Sequence, residues 1–409
     1  MSIASDAHPF QHARTTGSPP PSRDDLVAQS RALLPLLARN AVQSDVDRGI
    51  PDENINALHA AGLLGLATPR RYGGAETDLR TMLEVTAVLG EACGSTAWVV
   101  ANRHVCSWVA ALLPTRAQDE IFGADPSIGI AGVNAPSAEA RRVEGGVRAT
   151  GKWYYCSGSA HAKWAMLGLV EKDSSGAVLD QYLSLVPITE LSIEDTWYTV
   201  GMRGTASNCI VGNDLFIPEH RLFSLVKGLK GAYPRGPTNE ALYRSTLAAF
   251  LPISLTGPLL GLGRAALQYV IDSAADRSIT GTTFKKQSES SAFQVQIAEA
   301  AMKLHAAELL IAHTADTVDR YAGRGELMPL GGRTQCRAAA AYAGTQITHA
   351  INILMSAHGA GSFSAMNPLQ RIWRDANIST RHTALLYPVA MEVHGRALLG
   401  VEKNIAFLL

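Results

Sequence analysis

Four side chains of this 409-residue sequence stand where their types could do chemistry. His104 lies in Trp98-Val-Val-Ala-Asn-Arg-His-Val-Cys-Ser-Trp108, a mostly apolar helical stretch, and an imidazole titrates close enough to neutrality to move protons. Ser157 follows the aromatic run Gly151-Lys-Trp-Tyr-Tyr-Cys156, and its hydroxyl can both donate and accept. His382 closes Arg374-Asp-Ala-Asn-Ile-Ser-Thr-Arg-His382, and Arg277 ends a helix at Asp276-Arg-Ser-Ile-Thr-Gly281. Each also has an ordinary reading. His104 would be a core histidine satisfied by a carbonyl, Ser157 a turn serine, His382 an answer to the helix dipole, and Arg277 a donor to the last carbonyls of its helix.

Familiar motifs narrow the chemistry. HExxH, GxSxG and GxxxxGK[ST] are missing, and no GxGxxG follows an expected strand. Gly257-Pro-Leu-Leu-Gly-Leu-Gly263 has the wrong spacing for a dinucleotide loop and sits inside a helical pattern. The five cysteines, Cys93, Cys106, Cys156, Cys209 and Cys336, are odd in number with no CxxC pair, so neither a disulfide framework nor a metal site is expected, and a reducing cytoplasm is the expected home. Lys and Arg number 36 against 36 Asp and Glu, and no basic cluster breaks that balance, which argues against nucleic acid and anionic membranes as partners. No uninterrupted apolar run reaches the roughly 18 residues of a membrane span. Chemistry must then come from a cofactor or from residues dispersed along the chain.

The elements that must position those residues fall in three blocks. Residues 1–23, rich in Pro, Ser and Gly, read as a disordered arm. Residues 24–126 show helical periodicity at Leu26–Leu37, Asp52–Leu64, Leu79–Leu89 and Thr96–Leu113, with Ser95 the expected N-cap of the last and a Pro/Gly loop between the second and third. Between 127 and 234, short segments rich in β-branched and aromatic residues alternate with turn signals such as Glu144-Gly-Gly146, which suggests a compact antiparallel, barrel-like β-domain. From 235 to 409, long Ala-rich helices are expected at Glu240–Ala275, Ser291–Ala322, Thr334–Ser356, Gln370–His382 and Pro388–Ala406, a C-terminal four-helix bundle. The class is α+β: helices, then strands, then bundle.

Pro69-Arg-Arg-Tyr-Gly-Gly74, Gly94-Ser-Thr-Ala-Trp98, Gly151-Lys-Trp153, Gly201-Met-Arg-Gly-Thr-Ala-Ser207 and Pro368-Leu-Gln-Arg-Ile-Trp-Arg-Asp375 together resemble the acyl-CoA dehydrogenase superfamily, in this same block order. Within it the chain looks most like the flavin-dependent, two-component monooxygenase branch. The stretch Trp373 to Pro388, where a dehydrogenase commonly keeps its glutamate base, offers Asp375, Ser379 and His382 instead. The resemblance implies a cytoplasmic homotetramer that takes reduced FMN, with FAD the alternative, from a separate NAD(P)H:flavin reductase. The flavin reacts with O2 through a C4a-hydroperoxyflavin to hydroxylate a phenolic or bicyclic aromatic. An indole, sulfur or amine-nitrogen substrate on the same scaffold, or an FAD-dependent acyl-CoA dehydrogenase, are the alternatives. By the same resemblance Ser157 bonds near flavin N5, His382 stands beside the flavin peroxide and His104 faces the substrate as base or orienting donor. Asn134 lies near flavin or substrate, Trp153 walls the ring and Arg277 binds the flavin phosphate. Arg235 and Arg244 have the chemistry for a substrate carboxylate, though a surface role is the commoner one for arginine.

Overall fold

A computed structural model describes residues 20–234, 240–402, 404–406 and 409. Most of the expected arm, residues 1–19, and Arg235 lie outside the described residues. Helix α1 (Arg23–Asp47) opens on a capping box in which Ser22 Oγ accepts from the Asp25 N–H (3.2 Å) and the Asp25 carboxylate takes the Ser22 N–H (2.9 Å). Ser22 and Arg23, placed by the expectation in the arm, thus belong to the first helix and its cap. Helices α2 (Asp52–Ala60), α3 (Leu79–Ala92), α4 (Gly94–Ala111) and α5 (Thr115–Phe122) follow. Cys93, not Ser95, takes the N-cap position of α4, and the Ser95 hydroxyl turns instead to Met202 Sδ (3.8 Å). Every residue of α4 is buried except Asn102, so this helix is the pillar of the N-terminal block.

The middle of the chain forms β1 (Ile130–Glu139), β2 (Arg141–Val143), β3 (Gly146–Cys156), β4 (Trp164–Lys172), β5 (Val178–Pro187), β6 (Ser192–Glu194), β7 (Asn208–Pro218) and β8 (Leu222–Ser224). They make two four-stranded sheets, β1-β4-β5-β8 and β2-β3-β7-β6. Val133, Leu167 and Leu169 of one sheet share a buried cluster with Val147, Trp153 and Ile210 of the other. Two features depart from a wholly antiparallel barrel. The sheets stay separate, and β1 pairs with β4 in parallel. The β2–β3 hairpin belongs to the opposite sheet, so the chain returns to β1's side by a crossover, and the hairpin geometry that makes neighbours antiparallel does not apply.

The short α6 (Leu225–Gly228) packs on β5 and β8 at the end of the β-block, and the C-terminal block holds α7 (Leu247–Ser254), α8 (Gly257–Ser273), α9 (Ser291–Arg324), α10 (Leu330–His358), α11 (Pro368–Ser379) and α12 (Tyr387–Leu398). The single helix expected over 240–275 is broken. Residues 241–244 form a 3-10 turn, and the chain interrupts at Leu255-Thr256 ahead of Pro258, which occupies a first-turn position where its missing N–H costs nothing. The stretch 247–273 is long and apolar enough to cross a membrane by composition, but 94% of its most apolar window is buried within the protein. Gly257 and Gly261 allow α8 to approach α3: a Cβ on either would collide with α3, at Thr86 or at the Ala87 carbonyl. That close approach is the use of the glycine-rich run.

Candidate active site

Where the three blocks meet, a cavity of about 550 Å³ is enclosed by α4, β1, β3, the loop before β7, α7, α10 and the turn between α11 and α12. Helix α4 turns Trp98, Asn102, Val105 and Cys106 toward it, the i, i+4, i+7, i+8 pattern of one helix face. His104 is not on that face. Two residues along a helix rotate a side chain by about 200°, so with Asn102 in the cavity wall His104 faces away. Its Nε2 meets the Leu63 carbonyl at 2.9 Å, its Nδ1 has no partner among the described residues, and burial pushes its pKa down to about 4. His104 is the core histidine of the ordinary reading, and its expected place facing the substrate is corrected: the polar residue that α4 turns to the cavity is Asn102.

Backbone irregularities build the β-side of the cavity. Opposite β7, Trp153 pairs with Ile210 and Cys156 with Asn208, leaving one extra residue on β3. Tyr155 sits in this bulge with φ 72°, a left-handed conformation rare for a non-glycine residue. The bulge swings Tyr154 and Tyr155 to the cavity and leaves Trp153 in the sheet interior, fully buried, its Nε1 donating to the Gly168 carbonyl (2.8 Å). The expectation that Trp153 walls a flavin is thus corrected: Tyr154 and Tyr155, not Trp153, line the cavity. A second irregularity, between Val133 and Pro136 of β1, brings Asn134 to the cavity as expected.

Ser157 also lines the cavity, at the head of a chain of hydrogen bonds. Trp98 Nε1 donates to Ser157 Oγ (3.3 Å), Ser157 and Ser207 hydroxyls lie 2.8 Å apart, Ser207 and Thr205 hydroxyls 2.7 Å, and Thr205 Oγ1 donates to the Met202 carbonyl (2.8 Å). The direction follows from counting protons. Each hydroxyl owns one, and a carbonyl owns none. Thr205 spends its proton on Met202, so Ser207 donates to Thr205 and Ser157 to Ser207. Ser157 therefore offers the cavity a lone pair, not a proton. The chain is anchored outside the cavity by the Met202 N–H, which donates to the buried Asp375 carboxylate (2.6 Å), and by Arg203 Nε, which donates to the Asp45 carbonyl (2.8 Å). Burial raises the Asp375 pKa to about 6. Met202 and Ala206 have φ of 49° and 44°, so this loop stores backbone strain beside the cavity. Gly201 permits the docking, since a Cβ there would strike the Arg374 carbonyl of α11.

On the bundle side, His382 packs edge-on to Trp98, with ring centroids 5.6 Å apart. Its Nδ1 accepts from the Ala384 N–H (3.2 Å), which assigns the proton of the neutral ring to Nε2. Burial, reinforced by the charge of Arg337, lowers its pKa to about 4. His382 is thus a neutral donor in the cavity wall. Cys106 is an apolar surface there, its thiol pushed up to about 12 by burial. No Asp or Glu lines the cavity among the described residues. Of the six site residues expected from sequence, Asn134, Ser157 and His382 converge here. Arg277 does not: its Nη2 donates to the His358 carbonyl (3.2 Å), away from the cavity. Arg244 caps the end of α9, its Nε donating to the Ala322 carbonyl (2.9 Å). Sequence reading overlooked Asn102, Tyr155, Trp197, Thr205, Ser207 and Arg337. For Thr205 and Ser207 a signal existed, two hydroxyls at alternate positions in the Gly201–Ser207 phrase that carried the resemblance.

Two family models match the chain: the acyl-CoA dehydrogenase N-terminal domain over residues 32–122 and the C-terminal domain over 253–387. The flavin-dependent monooxygenase oxygenase subunit HsaA of Mycobacterium tuberculosis is 34% identical, over 86% of this chain and 89% of its own length. The chain belongs to the acyl-CoA dehydrogenase family. Its relatives place it in the branch of flavin-dependent oxygenase components: the FADH(2)-dependent resorcinol hydroxylase oxygenase component of a Rhizobium strain is 29% identical over 93% of this chain and 95% of its own. Among solved structures, XiaF from Streptomyces in complex with FADH2 and glycerol superposes with a TM-score of 0.89 at 36% identity, covering 95% of this chain and 98% of that one. The family thus supplies the helix–sheet–helix order, and the oxygenase branch accounts for a cavity without a carboxylate base.

Proposed function

We propose that the protein is the oxygenase component of a two-component monooxygenase. It takes reduced flavin, as FMN or FAD, from a separate NAD(P)H:flavin reductase and uses O2 to hydroxylate a small aromatic compound. The observation that carries this is the outward lone pair of Ser157 in an aromatic-walled cavity. Reduced flavin bears an N–H at N5, and oxidised flavin bears only an acceptor there. The residues present fit the cofactor: Tyr154, Tyr155 and Trp197 offer ring faces and edges, Ser157 an acceptor and His382 Nε2 a donor.

When bound, reduced flavin supplies the two electrons that activate O2 for transfer to an electron-rich ring. The chain's own groups do the rest. Ser157 Oγ would hold the reduced cofactor by accepting from an N–H, His382 Nε2–H would be the donor offered to an oxygen atom, and the rings of Trp98, Tyr155 and Trp197 would exclude water. Asn102 and Asn134 hold the substrate by amide hydrogen bonds, so a phenol, indole, sulfur heterocycle or amine is oriented by the same pair. An acyl-CoA dehydrogenase needs a carboxylate to remove an α-proton, and the cavity wall supplies none among the described residues. We further read the protein as a cytoplasmic homotetramer. Val295, Met302 and Leu309, seven residues apart on α9, are 57–65% exposed, an apolar stripe suited to a second copy.

The test is to supply purified protein with any NAD(P)H:flavin reductase, FMN or FAD, and a panel of phenols, indoles and amines, and to seek products one oxygen heavier by mass spectrometry. Protein isolated with tightly held oxidised FAD that an acyl thioester reduces would overturn the proposal.

A further inference from the structure

The bundle end of the cavity carries positive charge that no carboxylate among the described residues meets. Arg337, from α10, and Arg381, from the turn after α11, both line the wall that His382 shares. Arg337 Nη2 donates to the Thr383 carbonyl (3.0 Å), and its Nε, buried, has no hydrogen-bond partner among the described residues. Arg381 Nη1 donates to Thr380 Oγ1 (2.7 Å). Among the described residues neither guanidinium has a carboxylate within ion-pair distance, although fifteen arginine–carboxylate contacts elsewhere show that this chain ordinarily pairs its arginines. Burial lowers the Arg337 pKa, with no acid to offset it. A part-buried cation costs free energy unless something pairs it. Away from the arginines, Val105, Val133, Met166, Leu251 and Ile378 give the cavity wall a broad apolar part.

A ligand that completes this arrangement has an apolar ring and an anionic end. We propose that Arg337, assisted by Arg381, receives a carboxylate of the substrate, so that the aromatic compound taken by this enzyme is an acid. The proposal rests on the oxygenase reading of the cavity. Arg337 is the stronger member because it is the more enclosed, and its planar fork suits two carboxylate oxygens. The anion would lie beside His382, which places the ring of a short aromatic acid against Trp98 and the apolar wall.

The experiment compares aromatic acids with their neutral amides, 4-hydroxyphenylacetate with its amide and indole-3-acetate with its amide, by calorimetric titration of the wild type, Arg337→Gln and Arg381→Gln. Riboflavin and FMN are titrated in parallel, and melting temperatures verify folding. The expected result is that wild type prefers acid over amide by about 10-fold or more, the scale of one charge-assisted hydrogen bond. Arg337→Gln should lose that preference and Arg381→Gln, more exposed, should lose part of it. Should Arg337→Gln misfold, the Arg381→Gln titration decides on the same criterion. Equal binding of acid and amide by wild type overturns the proposal while leaving the oxygenase reading intact. So does an Arg337→Gln protein that keeps the acid preference. A variant whose discrimination between FMN and riboflavin collapses while its acid preference stays assigns the pair to the flavin phosphate instead. If no aromatic acid or amide binds and none is oxygenated, both readings fall together.

Discussion

Replacing Ser207 by Ala is the sharpest probe of the hydroxyl chain, because Ser207 touches Ser157 and Thr205 and its removal changes where a proton points. In the wild type Ser157 donates to Ser207 (2.8 Å), leaving a lone pair for the cavity. In Ser207→Ala that acceptor is gone, and the Ser157 proton is free to turn inward. Thr205 keeps its bond to Met202, so only one buried hydroxyl loses its partner outright and the stability loss should be about 1 kcal/mol. The effect on flavin is larger in relative terms. Oxidised flavin, with an acceptor at N5, gains a donor it lacked, and reduced flavin loses part of a fixed acceptor. One neutral hydrogen bond is worth about 0.5–1.5 kcal/mol, so the ratio of oxidised to reduced dissociation constants should fall by roughly 2- to 13-fold. Fluorescence quenching measures the oxidised form, and anaerobic absorbance titration the reduced one. Thr205→Val, which leaves Ser207 free to turn its proton toward Ser157, should shift the ratio in the same direction. Thr205→Ser should preserve it. A ratio unchanged in Ser207→Ala, with the protein folded, would refute the reasoning from proton counting.

Four further outcomes follow from the same geometry. Ser157→Ala should release more hydrogen peroxide per NADH consumed, measured by peroxidase-coupled assay, and unchanged coupling removes Ser157 from the site. Asn102→Ala should weaken binding of the aromatic substrate by about 2- to 10-fold, one or so hydrogen bonds, whereas His104→Gln should leave binding unchanged by calorimetry. For pH, the buried His104 has a folded pKa of about 4 against an ordinary value of 6.5, so its stabilising contribution is complete above 6.5 and is lost as pH falls toward 4. The shift corresponds to about 3 kcal/mol at most, and the stability difference between wild type and His104→Gln, followed by urea unfolding, should shrink across that window. Finally, Trp153→Phe should cost about 1–2 kcal/mol through the lost bond to Gly168 and leave flavin affinity unaltered in the fluorescence titration, since the indole is in the sheet interior.

Much of this protein was written in one dimension. The alternation of apolar residues marked α3, α4, α9 and α10 within a few residues of their ends, because a buried helix face needs its apolar residues at 3.6-residue spacing wherever it packs. The block order and the convergence of Ser157, His382 and Asn134 were likewise legible, through phrases that the family shares. What failed were assignments that depend on direction. Trp153 and Tyr155 lie two residues apart in one aromatic run, and nothing in that run announces the bulge that sends one into the sheet and the other to the cavity. His104 and Asn102 are on one helix, and which of them faces the cavity depends on how the helix is rotated against its neighbours.

The sequence by itself determined the element types, their order and the chemical groups available, since these follow from local periodicity and residue identity. Only the tertiary structure decided which lone pair and which N–H face the cavity, and that two arginines end there with no acid beside them among the described residues. Those are consequences of long-range contacts, Met202 with Asp375 across 173 positions and Trp98 with Ser157 across 59, and no local pattern encodes them.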